Sequence, residues 1–277
     1  MPTLFRILAG LPLWLLHGLG SLLGWLVFFG SVTYRRRFVA HAALAGYSFS
    51  AVRAAVGNAG RMTAELPRLW MGAPILCAWD NEACVQRAYA AGRGVIFLTP
   101  HLGCFEIAAQ AVGQRYGARF GPLTVLYRPA RQAWLSAMMQ RARERPGLKT
   151  APTTLAGVRQ MLRALRNGHA VGLLPDQVPP EGMGLWAPFF GRDAYTMTLS
   201  ARLAQQTGAT VLLAWGERLA WGRGFRLHFR EMEQPLPDDL DAAVRQVNLA
   251  MERLIRENPR QYLWAYARYK QPRPDAR

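Results

Sequence analysis

Apolar positions divide the chain into two unequal stretches. Residues Leu4–Val32 are nearly all apolar, and only Arg6 and His17 among them could carry charge. From Leu19 to Phe29 the run is dominated by Leu, Gly, Trp, Val and Phe. About 20 apolar helical residues suffice to cross a bilayer, so the stretch is long enough. A cleaved signal would carry a shorter apolar core of about 7–15 residues ending at a small-residue site. Here the run is longer, and Tyr34-Arg35-Arg36-Arg37 follows it directly. Gly10, Pro12, Gly18, Gly20, Gly24 and Gly30 interrupt the helical pattern. The segment therefore reads as a spanning helix or an interfacial helical hairpin, with a buried core helix as the plainer alternative. The Arg35–Arg37 cluster suits anionic headgroups, and the positive-inside rule places it in the cytoplasm.

Beyond it the pattern alternates. Helical periodicity covers Phe38–Val56 and Asn81–Ala90, followed by the short apolar run Gly94–Thr99, a buried strand bounded by Gly and Pro. A helix is expected from about Cys104 to Tyr116, a strand over Leu123–Tyr127, and amphipathic helices over Gln132–Arg143 and Thr154–Asn167. Ala170–Leu174 reads as a third buried strand, and Asp176–Arg192, rich in Pro and Gly, as a loop. Thr196–Gln206 is helical, Thr210–Trp215 and Phe225–Arg230 are strands, and Leu240–Glu257 is a closing helix. Strands alternating with helices predict an α/β fold, a largely parallel central sheet flanked by helices, with its sites at the carboxyl ends of strands. The division expected is a membrane-anchoring segment, residues 1–37, and a catalytic domain, residues 38–277.

Composition narrows the partners. The chain has 277 residues, 34 of them Lys or Arg against 17 Asp or Glu, a formal charge of +17. Such basicity implies an anionic partner: a nucleic acid, an anionic membrane, an acidic protein or a phosphorylated substrate. The charge is spread along the chain and no nucleic-acid-binding motif appears, which argues against nucleic acid. Cys77, Cys84 and Cys104 form no C-x-x-C pair, so neither a disulfide framework nor a metal site is expected.

The sharpest chemical feature is Thr99-Pro100-His101-Leu102-Gly103-Cys104-Phe105-Glu106. His101 follows a buried strand directly, and Glu106 lies on the first turn of the next helix. A carboxylate reaching back to one imidazole nitrogen would fix the tautomer and leave the other nitrogen as a base. No G-x-S-x-G elbow supplies a serine nucleophile, so direct transfer fits better than a covalent intermediate. A capping His beside a solvated Glu would leave the same spacing.

His101…Glu106 resembles the H-x-x-x-x-(D/E) motif of the lysophospholipid acyltransferase superfamily. Tyr127-Arg128-Pro129, Leu174-Pro175-Asp176-Gln177, Ala187-Pro188-Phe189-Phe190-Gly191, Gln261-Tyr262-Leu263-Trp264 and Arg268-Tyr269-Lys270 resemble, in order, motifs of its bacterial lipid A biosynthesis branch, the lauroyl and myristoyl transferases. Tyr266 stands where that closing motif usually has His, Ala267 where it usually has Arg, and Val178-Pro179-Pro180 replaces the commoner continuation after Asp-Gln. The resemblance implies acyl transfer from acyl carrier protein to a hydroxyl of a glycolipid at the bacterial inner membrane, with no cofactor. It implies His101 as general base, Glu106 as its orienting group, and Arg128, Asp176 and Gln177 as substrate-binding residues. Phe189 and Phe190 would line an acyl tunnel or belong to the core. Two alternatives stay open: a lysophospholipid or other hydroxylated lipid as acceptor, or a basic membrane-surface protein with no activity. A hydrolase using His and Glu on water has no further motif to favour it.

Overall fold

The computed structural model describes residues 2–75, 77–127, 139 and 145–273. The helix expected over Gln132–Arg143, Met139 apart, and Arg128 lie outside the described residues.

The central sheet has seven strands in the order β1 (Cys77–Asp80), β9 (Phe225–Glu231), β8 (Thr210–Arg218), β2 (Val95–Leu98), β5 (Ala170–Leu173), β3 (Leu123–Tyr127) and β4 (Leu148–Pro152). From β8 to β4 neighbours run parallel. β9 folds back antiparallel on β8, and β1 runs parallel with β9. The fold is thus the expected α/β arrangement. β2 and β5 are buried at every position, as strands covered on both faces must be. Along β2, Ile96 and Leu98 enter one apolar core and Val95 and Phe97 the other, the period-two alternation of a strand.

One layer carries α7 (Glu82–Ala90) and α8 (Phe105–Phe120), the other α9 (Leu155–Arg166), α10 (Leu199–Thr207) and α11 (Leu240–Glu257). The α9 and α11 starts are set by side chains that accept otherwise unpaired amides. Thr154 Oγ1 accepts from Gly157 N, and Asp239 Oδ2 from Ala242 N.

Differences from the sequence pattern have local causes. The helix expected over Phe38–Val56 is broken into α3 (Val32–Leu44), α4 (Phe49–Val52) and the start of α5 (Ala54–Ala64). Gly46 at φ +87° ends α3, and Ser48 caps the next turn through Ala51 N. A sixth helix, α6 (Leu66–Met71), and strands β1 and β4 are short and carry polar residues that blur their periodicity. The loop expected over Asp176–Arg192 contains β6 (Gly184–Phe189), paired with β7 (Arg192–Met197) in a separate hairpin. Phe190 (φ 48°) and Gly191 (φ 75°) form its two-residue turn, both left-handed, as tight hairpins require. A two-stranded ribbon has only edges, so Pro188 fits there despite its missing N–H.

At the N-terminus, α1 (Pro2–Gly10) and α2 (Leu13–Gly30) precede α3. α2 packs on α5 through glycines on both helices. A Cβ at Gly60 would lie 1.9 Å from the Gly20 carbonyl oxygen, and one at Gly24 would lie 2.3 Å from that of Val56. Only glycine allows backbones to approach so closely.

Candidate active site

β2 delivers His101 to the carboxyl edge of the sheet. The turn that follows is fixed by its backbone. Gly103 N–H donates to the Gln261 carbonyl (3.1 Å), Cys104 N–H to that of Gly216 (2.7 Å), and Leu263 N–H to that of His101 (3.2 Å). Gly103 has φ +58°, and a Cβ there would lie 2.0 Å from the Gly216 oxygen, so the position admits glycine alone. Beneath it, buried Arg218 Nη2 donates to the Gly103 carbonyl (2.6 Å), while its Nε and Nη2 donate to both oxygens of buried Glu65 (2.8 and 2.7 Å). His17 of α2 meets the same carboxylate at 3.0 Å. Burial pushes the Glu65 carboxyl up, but Arg218 and His17 outweigh it and hold it below the usual carboxylate range.

β5 brings Asp176 to the same edge. Asp176 Oδ2 accepts from His101 N (2.8 Å), and Oδ1 from His101 Nδ1 (2.7 Å). Gln177 Nε2 lies 2.9 Å from His101 Nε2. An amide nitrogen only donates and a carboxylate only accepts. The network therefore admits one tautomer: Nδ1–H toward Asp176, and an Nε2 lone pair toward Gln177. The His101 side chain keeps 14% of its exposure and Asp176 only 2%. Burial pushes the Asp176 carboxyl up. The charge His101 carries when protonated, the two hydrogen bonds from His101 and the Arg268 charge overcome this, and it is held low. Tyr262 stands beside Asp176; burial pushes its phenol up, and the Asp176 charge pushes it further. Tyr266 braces the loop, its hydroxyl accepting from Val178 N at 3.0 Å.

Of the residues singled out from the sequence, the structure brings His101, Asp176 and Gln177 together. Both His101 ring nitrogens meet Asp176 and Gln177, so the orienting contact expected of Glu106 is made by Asp176, from the turn after β5. Glu106 is buried on the first turn of α8, and its charge acts on the Arg145 guanidinium. It lines an otherwise largely apolar cavity walled by Phe105, Val112, Leu123, Val125 and Leu174. Phe105 also packs against His101, their ring centroids 5.1 Å apart, so one side chain separates the cavity from the imidazole. Phe189 and Phe190 are not in this wall; they are buried in the core, with Phe190 against Trp264. Glu65 and Arg218 escaped the sequence reading, and Gln261 entered it only as part of the closing motif. Glu65 and Arg218 stand 153 positions apart, and no local pattern marks such a pair. Among the described residues no cluster of His, Cys, Asp or Glu could hold a metal.

Residues 3–271 match the sequence model of the bacterial lipid A biosynthesis acyltransferases. Over 187 residues, 67% of this chain and 59% of the relative, the chain is 28% identical to the lipid A biosynthesis palmitoleoyltransferase of Escherichia coli (strain K12). It is 25% identical to the lipid A biosynthesis lauroyltransferase of the same organism over 188 residues, again 67% and 59% of the two chains. A lipid A biosynthesis acyltransferase of Haemophilus influenzae is 24% identical over 180 residues, 65% of this chain and 55% of that one. Each alignment thus spans less than two thirds of the relative's length. Because the family's sequence model extends over nearly the whole chain, this protein belongs to the bacterial lipid A biosynthesis acyltransferase family.

Proposed function

We propose that the protein moves a fatty acyl chain from acyl carrier protein to a hydroxyl of a lipid A precursor, at the cytoplasmic face of the bacterial inner membrane. The observation that carries the reading is the His101 Nε2 lone pair, oriented by Asp176 through Nδ1, with Phe105 between the imidazole and an apolar cavity. His101 Nε2 takes the proton of the acceptor hydroxyl as the oxygen attacks the thioester carbonyl. The tetrahedral intermediate collapses, the carbon–sulfur bond breaks, and the leaving thiolate takes the proton from the imidazolium. Asp176 stabilises the imidazolium between these steps. Gln177 holds the lone pair until the acceptor hydroxyl replaces it. Glu106 adds negative charge at the head of α8, and the cavity takes the start of the acyl chain. Arg128 is assigned to the acceptor phosphate, since a guanidinium fork suits phosphate. The basic charge of +17 favours both an acidic carrier protein and a phosphorylated lipid.

The test is incubation of purified protein with acyl carrier protein thioesters of several chain lengths and a panel of acceptors, with products identified by mass spectrometry. An ester of a lipid A precursor is the expected product. Esterified lysophospholipid alone would reassign the acceptor, and free fatty acid alone would make the protein a hydrolase.

A further inference from the structure

The 18 residues of α2 would reach about 27 Å at ~1.5 Å per residue, close to a hydrocarbon core of about 30 Å. Length alone is compatible with crossing; its surroundings are not. The body follows α2 from end to end. The Trp221–Gly222 turn packs on Trp14, and a Cβ at Gly222 would lie 2.3 Å from its backbone nitrogen. His17 meets Glu65, Gly20 and Gly24 meet α5, and Phe28 packs on Phe38 and Phe49 (5.7 and 5.3 Å). An upright α2 would draw α5, Arg61 and the Glu65–Arg218 pair to hydrocarbon depth. Charged groups at that depth are costly.

The exposed side of α2 is lipid-like. Leu19, Leu22, Leu23, Leu26 and Phe29 stand out on the side away from α5. A flat amphipathic helix needs a polar face; here the protein body takes that place. Exposed Arg6 on α1 and Arg36 on α3 flank the two ends, and Arg35 donates to the carbonyls of Phe28 and Phe29. These cations complement anionic headgroups. Trp221 adds a second contact from a distant part of the chain. It is 88% exposed and holds φ 60°, a left-handed backbone that bulky residues rarely adopt. Tryptophan favours the membrane–water interface.

This surface lies at the catalytic edge. β8 pairs with β2 as far as Leu98↔Leu213, then continues past the His101 turn to Arg218 before entering the Trp221 turn. α5 in turn meets the segment bracing that turn, through Asn58 Nδ2 to the Arg260 carbonyl (2.9 Å).

We propose that α1, α2 and the Trp221 turn lie flat in one anionic leaflet, so that α2 does not cross and the carboxyl edge of the sheet faces the bilayer. An acceptor lipid could then reach His101 without leaving its leaflet. Only this last consequence rests on the lipid-acceptor reading.

The test places nitroxides at Trp14→Cys, Leu22→Cys and Phe29→Cys, each in the full chain carrying Cys77→Ser, on phosphatidylethanolamine–phosphatidylglycerol vesicles. Depth is read from the accessibility of each label to oxygen and to a water-soluble nickel complex. A flat helix gives one shared depth below the headgroups. A crossing helix puts Leu22 about 10 Å deeper than both ends, by the rise per residue; that gradient, or full water accessibility at all three sites, overturns the proposal. Trp221→Ser should weaken vesicle partitioning on the order of tenfold, from the apolar area withdrawn; an unchanged partition coefficient removes the turn from the surface. None of these readouts needs turnover, so they stand or fall apart from the acyl-transfer reading.

Discussion

At His101 the decisive question is which group holds which ring nitrogen. Asp176 takes Nδ1 and its other oxygen takes the His101 amide, so one carboxylate fixes both the ring and the backbone beneath it. His101→Ala should lower kcat by about 10²–10⁴-fold with the fold intact, as loss of a general base does. Asp176→Asn keeps an acceptor for Nδ1–H but removes the charge that stabilises the imidazolium. It should cost on the order of 10²-fold in kcat and exceed the loss from Glu106→Gln. Steady-state kinetics on the three variants, with thermal melts as controls, ranks them. A larger loss from Glu106→Gln would return the orienting role to Glu106.

Two elements carry the site from a distance. The Glu65–Arg218 pair links α5's end to β8 and, through the Gly103 carbonyl, to the catalytic turn. Removing one member leaves the other charged and buried, typically a loss of about 3–5 kcal/mol. Arg218→Met should therefore destabilise strongly, and Glu65→Met with Arg218→Met together should be more stable than Arg218→Met alone. Urea unfolding midpoints in detergent compare them. The α2–α5 crossing makes a different demand. Gly60→Leu would force atoms into the Gly20 carbonyl, so it should lower stability by about 1–3 kcal/mol, as overpacking does. A thermal melt unchanged by Gly60→Leu would show that α2 does not seat on α5 this way.

For the whole molecule, buried ionised carboxylates set the response to acid. Asp176 and Glu65 are both held below their ordinary pKa. The unfolded chain therefore binds more protons than the native one as pH falls through the ordinary carboxylate range, about 4. Their contribution is fully present above that range and is lost as pH drops through their depressed values. Stability should decline below about pH 5, and the slope should be shallower in Asp176→Asn. Unfolding midpoints measured from pH 7 to 3 check this; an equal slope in the variant would show that Asp176 is not held ionised.

The sequence by itself determined what short-range patterns can encode. The buried runs at Val95–Leu98 and Ala170–Leu173, the α/β alternation, the apolar segment ahead of Arg35–Arg37, and His101 at the end of a buried strand were all legible, because each rests on periodicity or on residues close in the chain, whereas Asp176 and Gln177 entered as site candidates only through the family resemblance. The hairpin hidden in the Pro- and Gly-rich stretch after Asp176 was not legible, because edge strands tolerate the residues that usually break strands. Nor was the partner of His101 Nδ1. Glu106 is near in sequence, but Asp176, 75 positions away, is brought to the imidazole by the pairing of β2 with β5. The seating of α2 was decided in the same way. Its composition leaves spanning, interfacial and buried helices open, and its glycine contacts with α5 and the buried Glu65–Arg218 pair beneath it come from pairing at long range, which leaves no local pattern.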